Sequence, residues 1–81
     1  MNIDQLRQAR EAVPFRPFRI HLADGRSHIV PHRDYLSMSP GGRTVIVYVS
    51  DEGGSMLDSL MITELSFEKL FMGENAAREV N

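Results

Sequence analysis

The chain has 81 residues, a net charge of −2 and no cysteine. That length holds one domain with one small core, burying about 60–65% of the unfolded surface for a thin stability margin. Lack of cysteine rules out disulfides, thiolate metal sites and thiol catalysis, and small secreted domains normally need such staples. Met1-Asn2-Ile3-Asp4 has neither the basic nor the apolar region of a signal peptide. The longest apolar run, Val45 to Val49, falls far short of the roughly 20 residues that cross a bilayer. A cytoplasmic protein without a membrane partner is the expectation.

Charge is split along the chain. Residues 1–50 carry Arg7, Arg10, Arg16, Arg19, Arg26, Arg33 and Arg43 against Asp4, Glu11, Asp24 and Asp34, a balance of +3. Residues 51–81 carry Lys69 and Arg78 against Asp51, Glu52, Asp58, Glu64, Glu68, Glu74 and Glu79, a balance of −5. A uniformly basic nucleic-acid binder is excluded, and the two halves are suited to attract each other within or between molecules.

The first element is a helix. Ile3, Leu6 and Val13, with Ala9 and Arg10 between, approximate a 3.6-residue stripe. Asn2 can cap it, with Gln5 as a capping-box partner and Asp4 at the positive end of the dipole. Pro14 stops it. Three turns do not persist alone, so the helix must dock. Pro14-Phe15-Arg16-Pro17-Phe18 is then an extended connector, whose Phe15 and Phe18 are expected to pack beneath the helix.

From Phe18 the period becomes two. Phe18, Ile20 and Leu22 alternate with Arg19, His21 and Ala23, and Asp24-Gly25 follows. Asp-Gly between alternating segments predicts a two-residue type I′ hairpin. That register sets His21 opposite His28 and Ile20 opposite Ile29. Ile20, Leu22 and Ile29 then point inward, and Arg19, His21, Arg26 and His28 share the outer face. Pro31 ends or bends the strand. Tyr35 to Met38 is a short strand, Pro40-Gly41-Gly42 a turn, and Thr44 to Val49 a β-branched strand. Asp51 to Gly54 reads as the next turn, Met56 to Ile62 as a strand, and Thr63 to Phe67 as a short closing strand. One domain over 1–72 with a flexible tail over 73–81 is the expected organisation.

This order of parts resembles the Sm-like fold of Hfq-type bacterial RNA chaperones. The run Pro14 to Arg26, with Gly42-Arg43-Thr44-Val45-Ile46-Val47-Tyr48, is also similar to a family of small uncharacterised bacterial proteins. The implied fold is mainly β, a short N-terminal helix followed by a five-stranded antiparallel Sm-like or SH3-like barrel, with ring assembly. The Hfq pattern ends its fourth strand in Tyr-Lys-His, whose lysine and histidine serve a uridine pocket. The matching stretch, Asp58-Ser59-Leu60-Met61-Ile62, has neither, so no RNA-binding residue carries over.

Arg19, His21, Arg26, His28 and Arg33 form the candidate anion or partner patch, because arginine forks suit phosphates and carboxylates. Its plainer alternative is an ordinary solvated face. His21, His28 and His32, with Asp34, invite a metal site, but no cysteine or acidic cluster supports one. No cofactor is expected. The serines fit no nucleophile motif, and Gly41-Gly42 and Gly53-Gly54 precede no helix. Met38, Met56, Met61 and Met72 read as core filler or a soft interface. The expectation is a non-enzymatic interaction or assembly module whose partner is itself or another protein. An Sm-like binder of single-stranded nucleic acid is the alternative, with weak binding at most.

Overall fold

In the computed structural model, residues 2–67 are described. The expected tail over 73–81, its boundary at 72, and Met72 lie outside them. One helix and six strands follow in order: α1 (Ile3–Glu11), β1 (Phe18–Leu22), β2 (Ser27–Val30), β3 (Leu36–Met38), β4 (Thr44–Ser50), β5 (Gly53–Asp58) and β6 (Ile62–Phe67). Turns of 3-10 helix at Arg33–Tyr35 and Ser59–Met61 precede β3 and β6. The strands form two antiparallel sheets, in the orders β2-β1-β6 and β3-β4-β5.

The mainly β class and the short N-terminal helix are as expected, but six strands lie in two separate three-stranded sheets where five in one antiparallel barrel were expected. Pro31, which has no N–H to give a ladder, and the Arg33–Tyr35 turn separate β2 from β3, which is the short strand expected over Tyr35 to Met38 and begins at Leu36. The predicted strand from Met56 to Ile62 is broken. Asp58 Oδ1 accepts the Leu60 N–H at 2.9 Å and Arg43 Nε at 3.0 Å, capping the Ser59–Met61 turn. No ladder joins β2 to β3 or β5 to β6.

Helix α1 forms where expected. Asn2 Oδ1 accepts the Asp4 N–H at 2.8 Å, and the Asn2 carbonyl accepts the Gln5 N–H at 3.1 Å. Leu6 and Ala9 are buried against the sheets. Val13, predicted on the stripe, is 86% exposed, because the helix ends at Glu11 and Ala12 turns to extended backbone. Three arginines fasten the helix to its surroundings. Arg7 Nη2 donates to the Pro40 carbonyl at 3.2 Å and Arg10 Nε to that of Leu36 at 3.0 Å. Arg33 Nη2 donates to the Ala12 carbonyl at 2.7 Å, satisfying a peptide group left open at the helix end.

Beneath α1, the core joins Phe18, Ile20 and Leu22 of β1 with Val30, Leu36, Val45, Val47, Leu57 and Ile62. Phe15 packs on its margin, 5.8 Å from the Phe18 ring, as the connector pattern predicts.

The β1–β2 turn differs from expectation in a way that moves side chains. The Leu22 N–H bonds the Arg26 carbonyl at 2.8 Å, and the Gly25 N–H bonds the Leu22 carbonyl at 3.0 Å. Gly25 has φ 93°. The loop is thus three residues, Ala23 to Gly25, with the glycine in the left-handed region and a bulge at its end. Asp24 favours this form by accepting the Arg26 N–H at 3.0 Å. The Ala23 N–H is also held by the Met61 carbonyl at 2.8 Å. Register becomes Arg19 opposite Ile29, Ile20 opposite His28 and His21 opposite Ser27. A one-residue slip exchanges the faces of β2. Val30 enters the core, while Ile29, expected inside, is exposed.

Gly53 and Gly54, expected in a turn, begin β5 instead. A Cβ on Gly54 would stand 2.5 Å from the Val47 carbonyl oxygen, so only glycine lets the strands approach this closely.

Two predictions follow from these turns. Gly25 and Gly42 both have positive φ, but a Cβ meets nothing within 4 Å at Gly25 and lies 2.7 Å from Ile3 Cγ1 at Gly42. Gly25→Val is expected to cost about 1–3 kcal/mol from backbone strain alone. Gly42→Val should cost more, because it also pushes α1 off its seat. Urea denaturation checks the order, and equal losses would refute it.

The Asp58 carboxyl sits below the usual carboxylate range because of its Arg43 side-chain bond and then the Leu60 N–H, and Arg43 is correspondingly raised. With the unfolded carboxyl titrating near about 3.9, the stabilisation is complete above that pH. It disappears as pH falls through the lower folded value. Asp58→Asn should therefore lower the Tm at neutral pH, and its gap to the wild type should narrow below about pH 4. A gap that stays constant in acid would contradict the assignment.

Candidate functional site

Alternation along β1 sends Phe18, Ile20 and Leu22 into the core and leaves Arg19 and His21 on the outer face of the first sheet. Arg19 Nη1 donates to Ser27 Oγ at 3.2 Å. His21 Nε2 lies 2.8 Å from Ser66 Oγ on β6, and Glu64 is opposite His21 in the ladder. This face therefore carries one arginine, one histidine, one carboxylate, serines and the exposed Ile29. It is mixed, not uniformly cationic.

The other three patch residues are elsewhere. Arg26 stays at the turn, its Nε 2.8 Å from Asp24 Oδ2. The Asp24 carboxyl is held below its ordinary value chiefly by the Arg26 backbone N–H. His28, expected outside, shares the inner side with Ile20, because the turn has three residues. Its Nε2 is buried with no hydrogen-bond partner, an arrangement that costs about 1–3 kcal/mol. Arg33 lies at the helix end, bonded to Ala12 and 5.7 Å from the Phe15 ring. Arg16, close in sequence, covers the Phe67 ring at 4.4 Å. The structure thus joins Arg19 and His21 on the outer face and places Arg26 and Arg33 apart from them, while His28 turns inward yet lines a depression that Arg19 also lines.

The same geometry bears on chemistry. His21 and His28 point to opposite sides of the sheet, so the cross-strand histidine pair imagined for a metal does not form. Among the described residues, no three His, Cys, Asp or Glu side chains come together to hold an ion. Ser66 and His21 are at nucleophile–base distance. No carboxylate among the described residues lies within ion-pair distance of His21 to orient it, as a triad requires.

The first of two further features was read in part from the sequence, where Met56 and Met61 stand as core filler or a soft interface. Met56 and Leu60 are 74% and 69% exposed beside the outer edge of β5, with Val49 and Met61 also exposed. Met61 and Met56 are thus surface residues, whereas Met38 packs on the core. The second feature is a pair of depressions, both lined by Tyr35 and Tyr48. Extending the β3–β4 register one step back from Leu36 sets these tyrosines opposite each other. That relation was available from the Pro40-Gly41-Gly42 turn, had its loop length been known.

A hollow of about 560 Å³ lies between α1 and β6, with Ala9, Ala12, Arg16, Leu65 and Phe67 on its walls. No helix among the described residues is long and apolar enough to cross a membrane. No family model, curated protein or solved structure matches the chain.

Proposed function

We propose that this chain is a non-enzymatic interaction module that assembles with copies of itself. The observation that carries the reading is the open outer edges of β5 and β6, two of the four edge strands among the described residues. β5 and β6 each pair on one side only among the described residues. Gly53–Asp58 also lacks the lysine, proline or inward charge that normally blocks an edge. Exposed Met56 and Leu60 stand beside that edge, where burial against a second copy stabilises by roughly 25 cal/mol per Å² of apolar surface. Pairing β5 of one copy with β6 of the next is head-to-tail, and closes to a ring when the rotation between copies permits. The Sm-like resemblance and the split of charge between the chain's halves agree with that arrangement.

The nucleic-acid reading ranks second. Arg26 is engaged with Asp24 and Arg33 with the Ala12 carbonyl, and Glu64 stands on the face of Arg19 and His21. Few cations remain to follow a phosphate backbone.

Light scattering at roughly tens of micromolar protein is expected to report an oligomer that dissociates in Met56→Lys/Leu60→Lys, with the circular dichroism unchanged. A monomeric wild type would refute assembly. Fluorescence anisotropy with labelled oligo-U and oligo-A at about 150 mM salt should give a Kd no tighter than about 10⁻⁶ M. Nanomolar binding abolished by Arg19→Glu and Arg26→Glu would establish the nucleic-acid reading instead.

A further inference from the structure

We propose that the hollow between α1 and β6 binds a small amphiphile, a carboxylate carried on an aliphatic tail. Gln5, Gln8 and Ala9 of α1 and its cap Ala12 line one wall, spaced as a single face of a helix. Ala9 and Ala12 carry only a methyl group each, and a space of about 560 Å³ stays open between them and the strand. On the other wall, Leu65 is opposite Ile20 and Phe67 opposite Phe18 in the ladder. Ile20 and Phe18 are core residues, so Leu65 and Phe67 share the core-facing side of β6. The floor is therefore apolar, and its volume falls within the roughly 300–1,000 Å³ of small-molecule sites.

One charge distinguishes the site. Arg7, Arg10, Arg26, Arg33 and Arg43 are each bonded to an oxygen of the chain. Arg16 instead covers the Phe67 ring at 4.4 Å, at the margin of the hollow. No carboxylate among the described residues lies within ion-pair distance of it. A guanidinium resting on a ring still has its in-plane N–H fork to offer, and that fork suits a carboxylate. Glu64, the other charged residue of the lining, is opposite His21 and belongs to the outer face.

An anionic head beside Arg16, with its tail over Ala9, Ala12 and Leu65, matches both halves of the site. An inorganic phosphate would leave the apolar floor uncovered, and an amine would meet a like charge. Helix, connector and β6 of one chain build the whole site, so binding does not depend on self-assembly.

The probe is octanoate, titrated into the isotopically labelled full chain and read by backbone amide chemical shifts. Saturable shifts are expected at Ala9, Ala12, Leu65 and Phe67, with a Kd of about 10⁻⁴–10⁻³ M. Hexanoate and butyrate should bind progressively more weakly, by roughly two- to fourfold for each methylene removed. Octylamine, of similar length and opposite charge, should give no saturable shift there. Arg16→Gln, at an exposed position, should weaken octanoate binding at least about threefold and reduce its salt dependence. Ala12→Leu, which fills the hollow, should weaken it at least about tenfold. Arg16→Gln carries the test if Ala12→Leu does not fold. No shifts up to about 10 mM octanoate would overturn the proposal. So would a flat tail series, equal binding of octylamine, or tighter binding by a peptide with a free C-terminal leucine, which would make the hollow a peptide site. Saturable octanoate binding by a monomeric protein would uphold the proposal while refuting assembly.

Discussion

Eleven apolar side chains from α1 and both sheets make one buried cluster, and no element owns it. A three-stranded sheet of strands three to seven residues long needs a covered face to be stable. Each sheet here obtains that cover from the other and from α1. Phe18 is completely buried and lies 5.8 Å from Phe15 and 6.3 Å from Phe67, so it binds connector, first strand and last strand together. The helix, too short to persist alone, is fixed by Leu6 in this cluster and by arginines reaching main-chain carbonyls. Arginine serves well because it keeps its charge and donates several bonds from one rigid fork. Much of the basic character of the first half is thus spent on architecture.

Periodicity made the main elements legible. The stripe of Ile3 and Leu6, the alternation of Phe18, Ile20 and Leu22, and the run from Thr44 each became the element that their spacing predicts. Misreadings fell where a contact distant in sequence decides. Asp24-Gly25 suits a two-residue or a three-residue loop, and the choice is tied to Arg26 on Asp24 and the Met61 carbonyl on Ala23. Val13 obeyed the helical period but lay past the helix end. Leu60 and Met61 looked like strand, yet the Asp58 cap turns them out. A propensity scale cannot contain a cap whose second anchor is Arg43, 15 residues away.

The candidate patch shows the same limit. Its residue types were plain in the sequence, but their faces depended on the hairpin register. One residue of slip set His28 behind the sheet and Ile29 in front. Partners then reduced the patch's capacity to hold an anion, because Arg26 and Arg33 are committed within the chain. Shape and open strand edges are left as the more distinctive properties of the surface. Tyr35 and Tyr48 were individually unremarkable in the sequence and became a pair only through the β3–β4 register.

β1 sits in the middle of its sheet, with β2 on one side and β6 on the other. Phe18 meets Phe67, so this second ladder joins the first strand to the last described one. The hairpins β1–β2 and β4–β5 use neighbours in sequence and can form early, whereas the β1–β6 ladder must close a long loop first. On a ribosome, β1 therefore emerges long before the strand that covers its other edge. Throughout that interval a backbone row flanked by Ile20 and Leu22 is open to other chains. The central strand of this sheet is thus left with one edge bare during synthesis, and the last six described residues end that exposure.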